Sequence, residues 1–242
     1  MIDAPATPPA LSPPALIFDF DGLLVDTESS ALLAWREQFA VHDLDFPLET
    51  WRSYIGSQGS QEAMLAAVRA GGVEFEDAEL RAEWRQRHNA IARAEPLRAG
   101  VAVFLDEAIA AGSALAIASS ATRDWLDDHL DRLGIRQLFD VVCTRDNGRV
   151  KPSPDIYLAA LAGLRASAHN AIAFEDSPNG IAAAKAAGLM CVAVPNPVTA
   201  QLPLGAADLL VESFSDVSFS GLVSVLRGAA GYAPPNVQAP AP

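Results

Sequence analysis

Two aspartates stand where a short apolar run ends, and this arrangement limits the folds open to the chain. The run is Ala15-Leu16-Ile17-Phe18, and Asp19-Phe20-Asp21-Gly22 follows it directly. A strand that is buried on both faces of a parallel sheet has such a continuous apolar sequence. Because an unpaired carboxylate is costly to bury, Asp19 and Asp21 are expected at the carboxyl end of this strand, beside a cation. Asp19 is suited to act as a nucleophile and Asp21 as a general acid and base.

Three later segments have the same form, an apolar run that ends in polar side chains. The polar groups are Ser119-Ser120, Lys151-Pro152 and Glu175-Asp176. Ligands of an open parallel sheet bind outside the carboxyl ends of its strands, so these groups are expected to meet at one site. There the Ser119 hydroxyl and the Lys151 ammonium would contact phosphoryl oxygens. Asp176 would join Asp19 as a ligand of Mg²⁺, which prefers oxygen ligands.

These segments resemble the ordered motifs of the haloacid dehalogenase superfamily, in the subgroup of β-phosphoglucomutase-like phosphatases with a helical cap. The matching segments are residues 19–28, 118–120, 151–155 and 174–180, and the likeness spans roughly residues 15–226. Four matches in order are far more specific than any one of them alone. The resemblance therefore implies a fold, a reaction and a set of site residues.

Each matched residue receives a role from this resemblance. The nucleophile is Asp19, the acid and base is Asp21, and Ser119 and Lys151 contact the phosphoryl group together with the backbone amides of Phe20, Asp21 and Ser120. The metal ligands are Asp19, Asp176 and the backbone carbonyl of Asp21, while Glu175 holds a metal-bound water. Relatives that cleave carbon–halogen bonds or phosphonates resemble this chain elsewhere but lack an acidic group at position 21.

Strand-like and helix-like stretches alternate through most of the chain, which predicts βαβ units in a Rossmann-like, doubly wound parallel sheet. Helices are expected over residues 99–111, 123–133 and 179–187, a further helix capped by Ser153, and a strand over 191–194. Residues 30–97 are expected to form an inserted all-helical cap domain, with 15–29 and 98–232 as the discontinuous core. The Pro-rich tails 1–14 and 233–242 are expected to be disordered.

The cap is expected to select the substrate, because the core groups contact mainly phosphate. Its candidate contacts are Ser57 and Gln58 in a polar loop, and Arg85 and His88 on one stripe of a helix. The loop has an equally good interpretation as an ordinary turn, and the stripe as a solvated helix face. Trp125 lies in an apolar helical pattern and is interpreted as a packing residue.

Composition and charge exclude other classes of function. The chain has 242 residues, enough for a core with an inserted smaller domain. Its 17 basic and 30 acidic residues give a net charge of −13, which opposes sequence-independent attraction to nucleic acid or anionic membrane. The sequence has no apolar run of membrane-spanning length and no signal-peptide pattern in residues 1–14. A soluble cytoplasmic protein is expected, with its oligomeric state open and a monomer slightly favoured.

The leading hypothesis is Mg²⁺-dependent hydrolysis of a small phosphomonoester, for example a sugar phosphate, through phosphorylated Asp19. A phosphosugar mutase of the β-phosphoglucomutase type would use the same core residues and return the phosphoryl group to sugar instead of water. Such mutases resemble this chain but carry an arginine and a histidine at the positions that match Gly59 and Ala31, which favours hydrolysis. A third hypothesis is a non-catalytic protein that binds a phosphorylated metabolite.

Overall fold

The computed structural model describes residues 13–53, 59–226 and 237–238 of the chain. Its strands are β1 (Ala15–Phe18), β2 (Leu115–Ala118), β3 (Val141–Cys143), β4 (Ala171–Glu175), β5 (Met190–Ala193), β6 (Leu209–Val211) and β7 (Val237–Gln238). Its α-helices are α1 (Thr27–Val41), α2 (Leu48–Ser53), α3 (Ser60–Ala70), α4 (Asp77–Ala92), α5 (Val101–Ala110), α6 (Arg123–Leu133), α7 (Asp155–Leu164), α8 (Pro178–Ala186) and α9 (Phe219–Leu226). No helix among these described residues is both long and apolar enough to cross a membrane.

The strands form one sheet in the order β3-β2-β1-β4-β5-β6-β7. Strands β1 to β6 are parallel to their neighbours, and β7 pairs antiparallel with β6 at one edge. From β1 the chain adds β2 and β3 on one side of the sheet. It then crosses over and adds β4, β5 and β6 on the other side. In open α/β sheets, such a reversal of strand order creates a crevice where ligands bind. The predicted doubly wound parallel sheet is therefore confirmed, and β1 lies at its reversal point.

Strand β1 is buried on both faces, as its continuous apolar sequence predicts. Leu16 and Phe18 point into one apolar cluster, and Ala15 and Ile17 point into another. Helices α5, α6 and α9 contribute to the first cluster, and α7 and α8 contribute to the second. The core thus has three layers, with helices on both sides of the sheet.

Phenylalanine rings hold the centre of the sheet against α5. Phe18 and Phe174 come from the neighbouring strands β1 and β4, and their rings stack with centroids 4.7 Å apart. Phe104 of α5 meets Phe174 edge-on at a centroid distance of 5.3 Å and is only 1% exposed. Such aromatic pairs contribute about 0.5–1.5 kcal/mol beyond the burial of their area. This packing fixes the two strands whose ends carry the predicted nucleophile and metal ligands.

Helices α1 to α4 form an all-helical unit with an apolar cluster of its own. Helix α1 packs against α4, where Trp35 and Trp84 stack with ring centroids 5.1 Å apart. The unit is inserted between β1 and α5, in agreement with the helical cap of the predicted fold class. Helix α1 begins at Thr27 and continues without interruption to Val41. The division of the chain at residues 29/30 and 97/98 stays a prediction.

Local sequence signals set the helix ends, and two predictions about helix starts are wrong. Helix α6 has the predicted bounds and ends at Gly134, which adopts a positive φ of 67°. Helix α5 begins at Val101 and not at residue 99, because Gly100 occupies its N-cap position with a φ of 82°. The expected Ser153 cap of α7 is wrong. Pro154 occupies the N-cap position, and the Ser153 hydroxyl donates to the Asp155 carboxylate instead.

Phe104→Ala is expected to lower the free energy of unfolding by about 3–5 kcal/mol, because truncation leaves a cavity among the surrounding rings. Chemical denaturation followed by circular dichroism measures this change. Val103→Ala is the matched control on the same helix, since Val103 is 63% exposed and its truncation should cost no more than about 0.5 kcal/mol. Equal losses in the two variants would contradict the assigned core face of α5.

Candidate active site

The loops after the central strands bring the predicted core residues to one edge of the sheet. Asp19 follows β1, Ser119 follows β2, Lys151 lies between β3 and α7, and Glu175 and Asp176 stand at the end of β4. Phe18 pairs with Ile117 on one side and with Phe174 on the other. Because the strands are in register there, the residues after them lie side by side. The sheet thus joins groups that are far apart in the sequence.

The Lys151 ammonium is the centre of this group. Its Nζ lies 2.5 Å from Asp19 Oδ1 and 2.6 Å from Glu175 Oε1. All three residues are buried, and a charge is tolerated at such depth only when it is paired. Burial alone would lower the pKa of Lys151, but the carboxylates of Asp19 and Glu175 outweigh it and hold the pKa above its usual value. Lys151 therefore remains protonated and supplies a fixed positive charge.

Three carboxylates meet beside Lys151 and form a possible metal site. Oxygen atoms of Asp19, Glu175 and Asp176 lie within 4.8 Å of one another. Burial raises the pKa of Asp176 well above its usual value, and the charges of Asp19 and Glu175 raise it further. Ionisation of all three carboxylates would place more negative charge here than the one ammonium of Lys151 offsets. A divalent cation that prefers oxygen ligands, such as Mg²⁺, suits this donor set.

Asn196 orients the Asp176 carboxylate, and sequence reasoning missed it. Its Nδ2 donates to Asp176 Oδ2 over 2.7 Å and to the Gly22 carbonyl over 3.2 Å. Gly22 has a φ of 79°, and a Cβ there would overlap both Asp176 and Asn196. Glycine is required at this position by the turn and by the close approach. Asn196 stands in the loop after β5, so the rule that locates the other site residues could have suggested it.

The Asp21 carboxylate has a different set of partners. Trp125 Nε1 donates to its Oδ1 over 2.8 Å, Thr27 Oγ1 to the same oxygen over 3.0 Å, and Ser119 Oγ to Oδ2 over 3.2 Å. Burial raises the pKa of Asp21, and these hydrogen bonds oppose that rise in part. The interpretation of Trp125 as a packing residue is therefore incomplete. The carboxylate of Asp21 is not part of the cluster of three, and the predicted role of its backbone carbonyl as a metal ligand stays a prediction.

The groups expected to bind phosphoryl oxygens lie around Asp19. The backbone N–H of Phe20 bonds to the Asp19 carboxylate and favours its ionised form. The Ser119 hydroxyl accepts the backbone N–H of Ala121 over 3.0 Å. The Ser120 hydroxyl accepts the backbone N–H of Lys151 over 3.2 Å. These bonds order the loops, while phosphoryl contacts from Phe20, Asp21, Ser119, Ser120 and Lys151 stay predictions.

Tyr157 holds the Glu175 carboxylate in place, and the sequence analysis did not predict this role. Its hydroxyl donates over 2.5 Å to Glu175 Oε1, the oxygen that also accepts from Lys151. The Tyr157 side chain is completely buried on α7. Its position in an apolar helical pattern resembles that of any core aromatic residue, so the sequence carries no signal for this contact.

Arg98 joins two loops of the site through main-chain oxygens. Its guanidinium donates to the backbone carbonyls of Gly22, Leu23, Val194 and Pro195. The first two carbonyls belong to the loop after β1 and the last two follow β5. Because both loops also contact Asp176, through Gly22 and Asn196, Arg98 stabilises the possible metal site without touching it.

Helices α1 and α4 face the carboxylates across a cleft of about 860 Å³. Arg85 and His88, two of the predicted cap contacts, both line it. His88 is stacked between Trp84 and Trp125, with ring centroids 5.0 and 5.2 Å away. Burial lowers the pKa of His88 to about 4, so its imidazole is neutral at neutral pH. Substrate contacts by Arg85 and His88 stay predictions.

The other cap positions singled out by the sequence offer less chemistry. Ser57 and Gln58 lie outside the described residues. Gly59 stands at the N-cap position of α3, and Ala31 lines the cleft. Neither of these two side chains can transfer a proton or bind an anion.

Glu28 adds a further carboxylate to the cleft. Burial raises the pKa of Glu28 to about 7, and the negative charges of Asp21, Asp19 and Asp26 add to this effect. Near neutral pH, Glu28 is therefore partly protonated and can donate a hydrogen bond as well as accept one. Glu28 is the last residue of the matching segment 19–28, but the sequence alone assigns it no role.

Comparison with known proteins identifies the family. The model of the haloacid dehalogenase-like hydrolase family matches residues 16–194 of this chain. The chain belongs to this family. It is a hydrolase enzyme, as the resemblance implied, which leaves the non-catalytic hypothesis without support.

Members of the haloacid dehalogenase-like hydrolase family resemble this chain over most of the chain's length. The putative phosphatase YhcW of Bacillus subtilis (strain 168) is 36% identical over 214 residues, which cover 88% of this chain and 97% of the relative. The validoxylamine A 7'-phosphate phosphatase of Streptomyces hygroscopicus subsp. limoneus is 33% identical over 207 residues, covering 83% and 94%. The crystal structure of CbbY from Rhodobacter sphaeroides in complex with phosphate matches with a TM-score of 0.67 and 32% identity, covering 84% and 95%.

The parent protein is expected to lose folding stability as the pH rises from 5 to 8, because Glu28 ionises, and Glu28→Gln is expected to lose less. The pKa of Glu28 is raised from 4.5 to about 7 in the folded chain, so the folded state holds the proton more tightly than the unfolded state. Ionisation of Glu28 as the pH rises through this interval therefore costs folding free energy, by at most about 3 kcal/mol. Glutamine cannot ionise, so the variant should escape this cost.

Urea denaturation at the two pH values in the presence of EDTA measures the difference. Glu79→Gln is the control, because Glu79 is exposed on α4 and its replacement should leave the pH dependence unchanged. An identical pH dependence in the parent and in Glu28→Gln would contradict the raised pKa.

Proposed function

We propose that the protein is a Mg²⁺-dependent phosphatase that hydrolyses a small phosphomonoester through phosphorylated Asp19. The contact of the buried Lys151 ammonium with Asp19 is the observation that carries this proposal. The acid and base Asp21 and the hydroxyl of Ser119 are bonded to each other beside it. A nucleophile, a fixed positive charge and a proton donor therefore share one end of the cleft. The phosphatase names of the relatives from Bacillus and Streptomyces support the same reaction.

In the first step, a carboxylate oxygen of Asp19 attacks the phosphorus atom of the ester. The bond between phosphorus and the ester oxygen breaks, and the departing oxygen takes a proton from the Asp21 carboxyl group. Burial raises the pKa of Asp21, which favours the protonated form that this step requires. The phosphoryl group is then held on Asp19 as an acyl phosphate.

In the second step, water attacks the phosphorus atom of phosphorylated Asp19. Asp21, now a carboxylate, takes a proton from this water. The bond between phosphorus and the Asp19 oxygen breaks, which releases inorganic phosphate and restores the Asp19 carboxylate. Asp21 ends the cycle protonated, so the two steps together consume one water.

Lys151 and Ser119 are the proposed electrostatic contacts of the phosphoryl oxygens. Lys151 is held by Glu175, which in turn accepts the Tyr157 hydroxyl. Its charge is therefore in place before the reaction begins, and a preorganised charge needs no rearrangement as negative charge develops. The Ser119 hydroxyl is anchored by the Ala121 backbone, and its one hydrogen, which here bonds to Asp21, would turn to a phosphoryl oxygen when substrate binds.

We infer that Mg²⁺ is held at the cluster of Asp19, Glu175 and Asp176, with Glu175 acting through a bound water. Its carboxylate oxygens lie within 4.8 Å of one another, and all are hard ligands of the kind that Mg²⁺ prefers. Bound there, Mg²⁺ would offset the negative charge of the nucleophile and the phosphoryl oxygens. The family resemblance adds the backbone carbonyl of Asp21 as a ligand and assigns Glu175 to a bound water.

A small phosphorylated metabolite is the proposed substrate. The cleft of about 860 Å³ is within the range of small-molecule sites. Arg85, His88 and Glu28 line it and offer polar groups to hydroxyls of a sugar phosphate. The net charge of −13 opposes binding of nucleic acid. The relative from Rhodobacter binds phosphate in its crystal structure, and the one from Streptomyces is named for a phosphate ester.

Asp19→Asn is expected to lower the turnover of p-nitrophenyl phosphate by roughly 1,000-fold or more, because an amide oxygen is a poor nucleophile. Initial rates with Mg²⁺ measure the loss, and circular dichroism checks that the variant is folded. Asp106→Asn is the matched control, since Asp106 is exposed on α5 and should retain the parent rate. If the Asp19→Asn variant were as fast as the parent, a different residue would be the nucleophile.

Mg²⁺ is expected to raise the Tm of the parent by about 5–10 °C at a concentration near 100 times Kd. Asp176→Asn should lose most of this shift, because it removes a ligand from the cluster, whereas Asp106→Asn should keep it. Thermal unfolding with Mg²⁺ and with excess EDTA measures both effects. A shift of the same size in the Asp176→Asn variant would place the metal elsewhere.

Product analysis separates hydrolysis from the mutase alternative. With β-glucose 1-phosphate and a glucose bisphosphate primer, a phosphatase releases inorganic phosphate, whereas a mutase yields glucose 6-phosphate. Ala31 lines the cleft where the resembling mutases carry a histidine, which favours hydrolysis. Glucose 6-phosphate as the main product would overturn this preference.

A further inference from the structure

We infer that Trp125, His88 and Thr27 form a clamp that positions Asp21 and ties its position to helix α4. Trp125 is thereby a positioning residue for the proposed reaction, and His88 links it to the helical unit. We call these three residues the acid clamp. The inference rests on the proposed function, because it concerns the alignment of the group that protonates the departing oxygen.

The first observation is the hydrogen bond from Trp125 to Asp21. The indole Nε1 is a donor only, and it lies 2.8 Å from Asp21 Oδ1. Trp125 stands in the first turn of α6, where its backbone N–H bonds to the capping hydroxyl of Thr122. The donor is therefore carried by a rigid side chain on an anchored helix end. Such a donor fixes the orientation of the Asp21 carboxylate in addition to stabilising its negative charge.

The second observation is that His88 contacts both residues that donate to Asp21 Oδ1. Its Nε2 lies 3.3 Å from the Thr27 carbonyl oxygen, and because a carbonyl only accepts, Nε2 carries the hydrogen. Its ring stacks on the Trp125 ring at a centroid distance of 5.2 Å and an interplanar angle of 28°. Thr27 donates to Asp21 through its own hydroxyl. A single side chain of α4 thus touches the two donors.

The third observation is that His88 is itself held by the helical unit. Trp84 stacks on its opposite face at 5.0 Å, and Trp35 stacks on Trp84 at 5.1 Å. Trp35 and Trp84 are buried in the apolar cluster of that unit. The stack therefore runs without a break from the cap helices to Trp125 on the core. A displacement of α4 from α6 would separate His88 from Trp125 and loosen the clamp.

Trp84 provides a contrast within the same stack. Its Nε1 is buried and has no hydrogen-bond partner among the residues the structure describes. Trp84 and Trp125 are thus the same residue type on the two faces of one imidazole, but only Trp125 reaches a reacting group. Replacing each by phenylalanine makes the same chemical change in both, and only one of the two removes a bond to Asp21.

The test compares two leaving groups. p-Nitrophenolate leaves without protonation, whereas the oxygen of an alkyl phosphate must receive a proton, so misalignment of Asp21 should slow the alkyl ester selectively. Trp125→Phe is expected to lower kcat/KM for an alkyl phosphomonoester by about 10- to 100-fold, the effect of one hydrogen bond to a carboxyl group that becomes charged as it gives up its proton. The value of kcat/KM for p-nitrophenyl phosphate should fall much less, because kcat/KM covers the steps up to departure of the leaving group and not the later attack of water.

Three further variants complete the test. Asp21→Asn should raise the ratio of the aryl rate to the alkyl rate, and it should raise this ratio more than Trp125→Phe does. Trp84→Phe is the matched control and should leave the ratio at the parent value. His88→Ala should raise the ratio although it makes no bond to Asp21, because it removes the stack that holds Trp125. Thermal unfolding of each variant checks that the chain is folded.

The outcomes separate the inference from the proposed function. An unchanged ratio in Trp125→Phe, together with a raised ratio in Asp21→Asn, would overturn the clamp and leave the reaction as proposed. Equal shifts in Trp84→Phe and Trp125→Phe would also overturn it, as would loss of the folded state in both Trp125→Phe and His88→Ala. Full activity of Asp19→Asn would remove the proposed function, and the clamp with it.

Discussion

The active site depends on the contacts of the Lys151 ammonium with two carboxylates. Asp19 and Glu175 come from neighbouring strands, and their carboxylates would repel each other without a cation between them. Lys151 contacts both at hydrogen-bond distance and is buried with them. Breaking a buried ion pair by removal of one partner costs about 3–5 kcal/mol. This one charge therefore favours the ionised form of Asp19, the proposed nucleophile, and joins two carboxylates of the possible metal site to the loop between β3 and α7.

The sequence was sufficient to predict the central sheet and the core residues of the site. Both inferences use local signals: an apolar run indicates a buried strand, and its polar end indicates the edge where ligands bind. Asp19, Ser119 and Glu175 occupy such positions, and the sheet brings them together. Lys151 lies eight residues beyond the end of β3, and the loop before α7 carries it to the same edge. The order of the strands did not have to be known, because all parallel strands end at the same edge.

The residues that sequence reasoning missed depend on contacts between distant parts of the chain. Trp125 and Trp84 lie in similar apolar helical patterns, but only the Trp125 indole N–H meets an acceptor, 104 positions away in the sequence. Tyr157 likewise resembles an ordinary core residue until α7 is packed against the sheet and its hydroxyl meets Glu175. The failed Ser153 cap has a local cause, since the neighbouring Pro154 takes the N-cap position. Periodicity predicts which face of a helix is buried and not what each buried polar atom touches.

The Arg98 guanidinium donates to peptide carbonyls on the two loops that it joins. Every amino acid supplies the same carbonyl group, so these bonds do not depend on which side chains stand at positions 23, 194 and 195. The side chains of Leu23 and Val194 are buried in the apolar core, so packing restricts their identity, whereas the bonds from Arg98 do not. A single substitution, at Arg98, would therefore remove the donor of four carbonyls on two loops at once.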